Sequence, residues 1–459
     1  DLDALAEVPA GVALGLVDDP TRLAQRPWSW NPPDDGALAI VGSARSGRSS
    51  TLRTLAHRVT SQRPHPWQVY AVHTGALADL AQLPLCGASV AAADAATVDR
   101  LIDVLDTPAP GPLRRLLLVD DWERVLDQLA QSGRVADRLQ ALVRDAADRH
   151  LDVAVAGGRA LLTGLMAARF GSTVLLLPAD PIDLTCAGVR PSQAPSQAPP
   201  GRAIDPNTGL LLQLAFVPPT PAGAVDGVGA EPPRHQLPVD WAPRRVRSLP
   251  SRVSLASLPA QPGAIVIGTD GDQSVALRPG DGSRRLVVVG SPGAGRSTAL
   301  LTIATALSHA GMPVALLSAT ATDRPPQVSA LRHDQVDELI ALRRAHPDLA
   351  VLVDDAHRCD SGAIDEVLRE IARLVDEDRG YLVLATTPQH STDAVTSLAG
   401  ALTRSGDVLL LGALPAGYER VCGIATSIVS QAIPGRGHLV RHGIPKPVQV
   451  AVPDGVSPP

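Results

Sequence analysis

The chain has 459 residues, enough for two or three domains at about 150 residues each. Its 41 lysines and arginines are outnumbered by 47 aspartates and glutamates, and the net charge of −6 argues against a strongly basic nucleic-acid-binding domain. Aromatic residues make up 2% of the chain, which argues against a base-stacking platform. With 45% hydrophobic and 19% charged residues, the sequence is not that of a mostly disordered protein.

Cysteine usage, hydropathy and the first residues set expectations about the cellular setting. The four cysteines, Cys86, Cys186, Cys359 and Cys422, form no C-x-x-C pair, so we expect neither a disulfide framework nor a zinc site. No uncharged apolar run reaches about 18 residues, so no transmembrane helix is predicted. The chain starts without methionine, so we expect it to be part of a longer protein whose membrane anchor could lie elsewhere.

The first half of the chain alternates predicted strands and helices. An apolar pattern with a central glycine predicts a strand over 12–19. Further strands are predicted over 37–41, 67–72, 115–119, 151–156 and 173–177, and helices over 48–61, 95–105 and 122–148. Apolar strands that alternate with helices are typical of a parallel sheet covered on both faces, so the predicted fold class is α/β.

A glycine-rich loop joins the strand over 37–41 to the helix over 48–61. Its sequence fits Gly-x-x-x-x-Gly-Lys-[Ser/Thr], except that arginine takes the lysine position. In that motif the backbone N–H groups surround phosphate oxygens, the basic side chain reaches the β- and γ-phosphates, and the hydroxyl binds Mg²⁺. The residues predicted to bind nucleotide here are Gly42, Gly47, Arg48, Ser49 and Ser50, with Ser49 also on the metal.

Two aspartates follow the apolar strand over 115–119. Asp120 has the position of a Walker B aspartate, which holds Mg²⁺ in P-loop ATPases. Asp121 follows where many ATPases place a catalytic glutamate that orients the attacking water, and aspartate is one methylene shorter. We therefore predict a metal role for Asp120 and a weak catalytic one for Asp121.

The first half ends in a loop, a turn and a short strand. Low-complexity sequence over 191–200 predicts a surface loop, and it leads into the turn Pro200-Gly201-Arg202. An apolar stretch with a central glutamine predicts a strand over 210–215. The proline- and glycine-rich residues 217–250 then predict a partly extended linker.

The second half repeats this order of landmarks at an offset of 248 residues between the two loops. A glycine-containing strand pattern spans 265–272. Further strands are predicted over 285–289, 313–318, 349–353, 381–385 and 407–411, and helices over 296–310, 335–345 and 363–378. The repeat closes with Pro434-Gly435-Arg436 and a strand with a central glutamine over 447–451. Repeated landmarks in one order predict tandem domains over 1–216 and 251–459, separated by the linker.

The second glycine-rich loop carries an equivalent set of site residues. Asp354 is predicted to bind the metal with Ser297, and Asp355 has the weak catalytic position. The nucleotide-binding residues predicted are Gly290, Gly293, Gly295, Arg296, Ser297 and Thr298. Thr386 and Thr387 end the strand that follows, where they could face a γ-phosphate or merely cap the strand. The first half has no polar side chain there until Arg159, so the second site is the better nucleotide candidate.

Other residues admit both a functional and an ordinary reading. The cluster Arg244, Arg245, Arg247 and Arg252 could contact DNA, lipid or an acidic surface, or simply be a solvated linker. Arg202 and Arg436 could act as arginine fingers or pair locally. His357 and Cys359 lack the spacing of a metal site. Trp28, Trp30 and Trp122 are expected to pack in the core or at an adenine edge.

These landmarks together resemble the FtsK/SpoIIIE-type ATPases, and more narrowly the later ATPase domains of EccC, the motor of type VII secretion. The resemblance covers nearly all of residues 8–452. The pattern of tandem domains is more specific than any single motif. The residues that carry the resemblance, besides the glycine-rich loops, are Gly-Leu-Val-Asp-Asp-Pro (15–20), Trp-Gln-Val-Tyr (67–70), Leu-Pro (83–84), Val-Asp-Asp-Trp (119–122) and the terminal Pro-Gly-Arg turn with its glutamine-containing strand. It implies tandem RecA-like P-loop domains, ATP and Mg²⁺ as cofactors, and a cytoplasmic location as the soluble part of a membrane-anchored, ring-forming protein.

The same resemblance implies a set of partners and a role. Later domains of this family often have degenerate sites and serve in regulation or in recognition of secreted proteins. The partners implied are other domains of a longer motor, secreted substrates and copies in a homo-hexamer. Arginine at the lysine positions, aspartate at the glutamate positions and Thr-Thr-Pro (386–388) in place of Thr-Gln-Arg-Pro depart from the motor pattern.

Three functions therefore stay open at this stage. The first is a nucleotide-binding regulatory and substrate-docking module with weak or no hydrolysis. The second is an active DNA translocase, although the C-terminal residues show no winged-helix module and DNA is an unlikely partner. The third is a protein-interaction scaffold whose loops bind no nucleotide.

Overall fold

The structure is a computed structural model that divides into two compact units, Asp1–Ser248 and Leu249–Pro459. It describes residues 11–62, 66–107, 113–130, 132, 134–195, 197–219, 241–278, 284–318, 327–375, 377, 380–393, 397–415, 417–424 and 432–453. Most of the predicted linker, residues 220–240, lies outside the described residues. None of the described helices is both long and apolar enough to cross a lipid bilayer.

The first unit is built on one sheet flanked by helices. Its strands are β1 (Val12–Asp19), β2 (Ala24–Trp30), β3 (Ala37–Val41), β4 (Gln68–His73), β5 (Cys86–Ala91), β6 (Arg115–Asp120), β7 (Leu151–Gly157), β8 (Phe170–Leu176), β9 (Arg202–Ile204) and β10 (Leu211–Leu214). Its α-helices are α1 (Pro32–Asp35), α2 (Arg48–Ser61), α3 (Ala95–Asp106), α4 (Trp122–Ala130), α5 (Val135–Arg144), α6 (Gly164–Ala167) and α7 (Pro181–Cys186).

The second unit repeats the plan. Its strands are β11 (Ile265–Thr269), β12 (Ser274–Leu277), β13 (Arg285–Gly290), β14 (Val314–Leu317), β15 (Val328–Leu331), β16 (Ala350–Val353), β17 (Tyr381–Thr386), β18 (Asp407–Leu411), β19 (Arg436–Arg441) and β20 (Ile444–Val450). Its α-helices are α8 (Arg296–His309), α9 (Val336–Ala345), α10 (Gly362–Leu374), α11 (Pro388–Ser391) and α12 (Leu398–Ser405).

Strand order brings the predicted motifs together in each sheet. In the first unit the order is β2-β1-β10-β9-β8-β3-β7-β6-β4-β5, and in the second it is β12-β11-β20-β19-β18-β13-β17-β16-β14-β15. The six strands from β8 to β5 are parallel, as are those from β18 to β15, and the remaining strands pair antiparallel. In each sheet the strand that follows the Asp-Asp strand in the sequence, β7 or β17, lies between the loop strand and the Asp-Asp strand, so all three carboxyl ends meet at one edge.

The central strands are apolar because helices cover both faces of each sheet. Alternate residues of β13 enter two different hydrophobic clusters: Val287 and Val289 lie in one, and Leu286 and Val288 lie in the other. Successive side chains of a strand point to opposite faces, so the two clusters are the two covered faces of one sheet. This arrangement confirms the predicted α/β class with a mainly parallel sheet, and it fixes the strand ends that build the site.

Several sequence-based elements need correction. The helix predicted over 122–148 is two helices, α4 and α5, and the interruption falls where the sequence has Ser132 and Gly133, which have low helix propensity. Strands β2, β5, β9, β12, β15 and β19 and helices α1, α6, α7, α11 and α12 were not predicted; β5 and β15 contain several small residues, which give a weak strand signal. The end of the predicted helix 363–378 lies beyond α10 and partly outside the described residues.

Candidate functional site

The first glycine-rich loop leaves β3 and enters α2 through a tight cradle. Gly42 donates its N–H to the carbonyl of Gly157, over 3.2 Å. A Cβ on Gly42 would lie 2.5 Å from the Ser46 hydroxyl oxygen, so the loop folds over this position only because it is glycine. Gly47, at φ +113°, is the N-cap of α2. The first N–H groups of α2 therefore face the loop without intrahelical partners.

The second loop has the same shape between β13 and α8. Gly295, at φ +93°, is the N-cap of α8, and Gly293 has φ +80°. The equivalent of Gly293 in the first loop is Arg45, which adopts φ +65° as an exposed side chain. Arg45 was not among the site residues predicted for the first loop. Its alignment with Gly293 could have indicated that it lies in the loop. The first loop therefore holds a strained non-glycine residue where the second has glycine.

Both loops are joined to their Asp-Asp strands by the same two contacts. Ser49 Oγ donates to Asp120 Oδ2 over 2.7 Å, and Ser297 Oγ donates to Asp354 Oδ2 over 2.7 Å. The structure therefore brings each predicted metal-binding hydroxyl beside its predicted metal-binding carboxylate. Ser50 and Thr298 follow in the first turns of the two helices and are half-buried.

The second contact is an ion pair between the loop arginine and the second aspartate. Arg48 Nη2 lies 3.3 Å from Asp121 Oδ1, and Arg296 Nη2 lies 3.4 Å from Asp355 Oδ1. Asp121 has φ +68° and Asp355 has φ +49°, so both carboxylates are held on left-handed backbone. Strain of this kind persists only where the surroundings impose it, and its repetition shows that both units impose one geometry.

The Asp120 carboxylate lies deep beside α2, with 2% of the residue exposed. Burial raises the pKa of Asp120 above its usual value, and the hydrogen bond from Ser49 and the charge of Arg48 offset this only partly. An acid whose charged form is penalised by burial is a group that gains from a bound cation.

The Pro-Gly-Arg turns support the loops from behind. Gly435 donates its N–H to the Ala294 carbonyl over 2.8 Å, and a Cβ on Gly295 would lie 2.8 Å from the Gly435 nitrogen. Gln449 Nε2 holds the second turn through the Pro434 carbonyl, over 3.0 Å, as Gln213 Nε2 holds the first through the Pro200 carbonyl, over 3.1 Å. In each unit the glutamine side chain therefore stabilises the Pro-Gly-Arg turn by a hydrogen bond.

The arginines of the two turns behave differently. Arg436 is buried and donates to the carbonyls of Leu249 and Pro250 and to Gln449 Oε1. The local-pairing interpretation is therefore correct for Arg436, and the arginine-finger interpretation is wrong, because its guanidinium is enclosed by its own unit. Arg202 is half-buried.

The strand ends between loop and aspartates differ between the units. In the second unit, Thr386 is fully buried at the end of β17, and Thr387 Oγ1 lies 2.8 Å from His390 Nδ1. The rings of His390 and His357 stack with centroids 4.3 Å apart. In the first unit, Glu123 Oε1 accepts the N–H of Gly158 over 2.8 Å at the end of β7. Sequence reasoning missed Glu123 and His390, whose relevance depends on tertiary contacts.

Polar atoms left without partners mark the second site as the less complete one. Within the described residues, Arg296 Nη1, His357 Nδ1 and Thr386 Oγ1 are buried without a hydrogen-bond partner. Buried polar atoms are rarely left unpaired without a reason, and an absent ligand is one such reason. In the first loop, Ser46 Oγ is also buried without a hydrogen-bond partner among the described residues.

These residues fit a magnesium nucleotide. The two glycine cradles open at helix N-termini, which favour anionic phosphate groups. The facing hydroxyl and carboxylate oxygens are the ligand types that Mg²⁺ prefers. The residues that would hold the ion are Ser49 with Asp120 and Ser297 with Asp354.

The whole chain is similar in structure to solved type VII secretion ATPases. It superposes on EssC (ATPases 2 and 3) from Geobacillus thermodenitrificans with a TM-score of 0.63 and 16% identity, covering 98% of both chains. It superposes on Thermomonospora curvata EccC (ATPases 2 and 3), solved in complex with a signal sequence peptide, with a TM-score of 0.56 and 18% identity, covering 98% of this chain and 96% of that one.

The chain has the fold of this tandem ATPase pair. The match to the longer cytoplasmic domain of the Thermomonospora curvata type VII secretion ATPase EccC covers 96% of this chain and 60% of that one, with a TM-score of 0.53 and 18% identity. The tandem ATPase fold thus confirms the predicted pair of P-loop domains. No protein-family model matches the chain, and no curated protein matches it in sequence.

Other predicted residues have ordinary places in this tandem ATPase fold. Trp30 is fully buried and donates to the Gly36 carbonyl, Trp122 is 2% exposed, and Trp28 packs on the same core as Trp30. Cys359 is buried, which raises the pKa of its thiol to about 11. No group of three or more metal-ligating side chains occurs among the residues that the structure describes. Arg159 pairs with Asp183 on α7 instead of entering the site.

Neutralising Asp120 tests the penalty that burial places on its charge. Because its folded-state pKa is raised, the contribution of Asp120 to stability falls as pH rises from about the unfolded value, 3.8, through the folded pKa. We expect Asp120→Asn to gain urea resistance relative to wild type over that window and to keep the gain at pH 7. Urea unfolding midpoints between pH 4 and 7 measure it. Asp127→Asn, an exposed change on α4, is the control, and equal pH profiles for both variants would contradict the interpretation.

Proposed function

We propose that the chain is the nucleotide-binding tandem module of a type VII secretion-like motor, regulatory and substrate-docking, with weak or no hydrolysis of its own. The observation that carries the proposal is the duplicated contact between loop hydroxyl and strand-end aspartate, at 2.7 Å in each unit. Its place at the start of a glycine-capped helix is that of a magnesium-nucleotide site. The fold likeness to ATPases 2 and 3 of EccC and EssC supports the tandem assignment.

Weak turnover follows from the ion pair in each site. Arg48 and Arg296 share their guanidinium groups with Asp121 and Asp355, so nucleotide must compete with an existing partner. The same pair engages the carboxylates that would orient water, and an aspartate reaches one methylene less far than a glutamate. Arginine also binds phosphate as a planar fork, while the usual lysine acts as a point charge. Each site therefore favours holding nucleotide over turning it over.

The second site is proposed as the stronger one. Its three buried polar atoms without partners lie on Arg296, His357 and Thr386. A phosphate group that satisfied even part of this set would remove a desolvation cost that the free protein carries. Mg²⁺ bound there would neutralise phosphate charge, and Ser297 and Asp354 would position the ion.

The proposed setting is the cytoplasmic side of a membrane-anchored motor. The partners proposed are other domains of a longer chain, secreted protein substrates and, in the full-length protein, five further copies in a ring. Substrate docking is supported by Thermomonospora curvata EccC, which was solved with a signal sequence peptide.

An extended segment of this chain shows how a peptide can lie on such a sheet. Residues 241–247 pack on the first unit, where Val246 N–H donates to the Gly87 carbonyl at the edge strand β5, and Arg244 donates to Thr107. This covers three of the four arginines predicted as a basic linker cluster. The corresponding edge strand of the second unit is β15, where Ser329 and Ala330 are exposed. We propose this edge for the secreted peptide.

Titration of Mg-ATP into the chain by calorimetry tests nucleotide binding. We expect saturable binding, weakened at least tenfold at the second site by Arg296→Ala, because that change removes the side chain that reaches the phosphates. His309→Ala, exposed at the other end of α8, is the matched control and should bind as wild type does. The absence of any heat or thermal shift at saturating Mg-ATP would replace the proposal with the scaffold function.

Fluorescence anisotropy with a labelled signal-sequence peptide tests docking at β15. We expect Ala330→Glu to weaken binding at least fivefold, because it places a charge on the exposed edge that main-chain pairing would use. Gln25→Glu introduces the same charge on the exposed edge strand β2 of the first unit and should leave binding unchanged. Equal affinities for both variants would refute the β15 edge as the docking place.

A further inference from the structure

The two candidate sites differ most at the strand end nearest a terminal phosphate. Strands β7 and β17 each lie between the glycine-loop strand and the Asp-Asp strand. Gly157, the last residue of β7, accepts the N–H of Gly42 at the start of the loop. Since the basic residue of the loop reaches the β- and γ-phosphates, the side chains at these strand ends border the terminal phosphate.

A carboxylate occupies this place in the first unit. Glu123 Oε1 accepts the Gly158 N–H over 2.8 Å, and Glu123 Oε2 lies 3.0 Å from where a Cβ on Gly157 would stand. The N–H that a phosphate oxygen could use is thus already bonded to a negatively charged group. Glu123 follows Asp121 by two residues and lies in the first turn of α4, so the start of this helix sets its position.

A neutral ring occupies the same sequence position in the second unit. His357 follows Asp355 by two residues, as Glu123 follows Asp121. Its ring stacks on His390, and burial, then the neighbouring His390, lower its pKa, which favours the uncharged form of the ring. Its Nδ1 and the hydroxyl of Thr386 are buried without partners among the described residues. This strand end therefore offers polar atoms and no negative charge.

Charge around each phosphate position follows from this difference. The first site has Arg48 against Asp120, Asp121 and Glu123. The second has Arg296 and Arg358 against Asp354 and Asp355, with Arg358 Nε 4.0 Å from Asp355 Oδ2. Arg45 adds a positive charge on the first loop, but it is exposed and solvent screens it. The first site thus carries one more negative group than the second. That group is Glu123, beside the position of the terminal phosphate that a triphosphate has and a diphosphate lacks.

We propose that the two sites select different nucleotides: the first prefers a nucleoside diphosphate because Glu123 repels a terminal phosphate, and the second prefers a nucleoside triphosphate because His357 and Thr386 receive it. This inference rests on the proposed nucleotide binding and deepens it. Glu123 and His357 then determine which nucleotide each site prefers. One unit would respond to the nucleoside diphosphate while the other unit keeps a nucleoside triphosphate bound.

Competition between ADP and a non-hydrolysable ATP analogue, each with Mg²⁺, tests the proposal in the full chain. Arg296→Ala silences the second site, and Arg48→Ala silences the first, so that each site is measured alone. In the first site, Glu123→Gln keeps an oxygen for the Gly158 N–H and removes only the charge. We expect it to raise the ratio of triphosphate to diphosphate affinity about tenfold, the effect of about 1.4 kcal/mol of repulsion. In the second site, His357→Glu should lower that ratio by a similar factor.

The control is Asp127→Asn, which removes an exposed charge from the same helix as Glu123 and should leave the ratio unchanged. If nucleotides bind but neither Glu123→Gln nor His357→Glu moves the ratio, the selectivity proposal is wrong and the proposed nucleotide binding stands. If neither nucleotide binds to the wild-type chain, the proposed function fails and the selectivity proposal falls with it.

Discussion

An ion pair between the loop arginine and the second strand-end aspartate governs each candidate site. It joins Arg48 to Asp121 and Arg296 to Asp355, at 3.3 and 3.4 Å. Both partners are partly shielded from water, so solvent screens the pair less than it screens a fully exposed ion pair. It connects the helix that would receive the phosphates to the strand that would hold the metal. In the proposed function, nucleotide must compete with this pair for the arginine.

The fold makes this contact possible twice. Parallel strands bring three carboxyl ends to one edge of each sheet, and the Pro-Gly-Arg turn packs behind the second loop through Gly435. The units differ in the first helical turn after each Asp-Asp strand, where Glu123 in one unit has the sequence position of His357 in the other. Two units with the same sheet and different residues beside the strand ends are consistent with the proposal that their sites prefer different nucleotides.

Much of the frame could be predicted from the sequence, because apolar runs and glycine loops have strong local signals. Strand β3 and helix α2 have the predicted bounds, 37–41 and 48–61. The two hydroxyl–aspartate pairs could also be predicted, because the carboxyl ends of parallel strands lie at the same edge of a sheet and bring the loop serine near the strand-end aspartate. Strands β5 and β15 contain several small residues and so gave only a weak strand signal. The apolar period over 122–148 continues past the end of α4 at Ala130, so it predicted one helix where the structure has two.

The rest of the site depends on tertiary contacts that one sequence does not reveal. Glu123 matters because its carboxylate reaches Gly158, 35 residues further along the chain. Arg436 proved to be a buried structural residue because the carbonyls of Leu249 and Pro250 lie beside it, 187 and 186 residues earlier. The left-handed backbone of Asp121, Asp355 and Arg45 is likewise imposed by the surrounding fold.

The most direct test of the central role of the ion pair is phosphate release from Mg-ATP by the wild-type chain and by Arg296→Lys/Asp355→Glu. The account predicts slow release by the wild type, well below about 1 s⁻¹, the lower end of ordinary enzyme turnover. It predicts at least tenfold faster release by the double variant, which restores a point charge and a longer carboxylate. Fast turnover by the wild type, or no gain in a variant that still binds nucleotide, would contradict it.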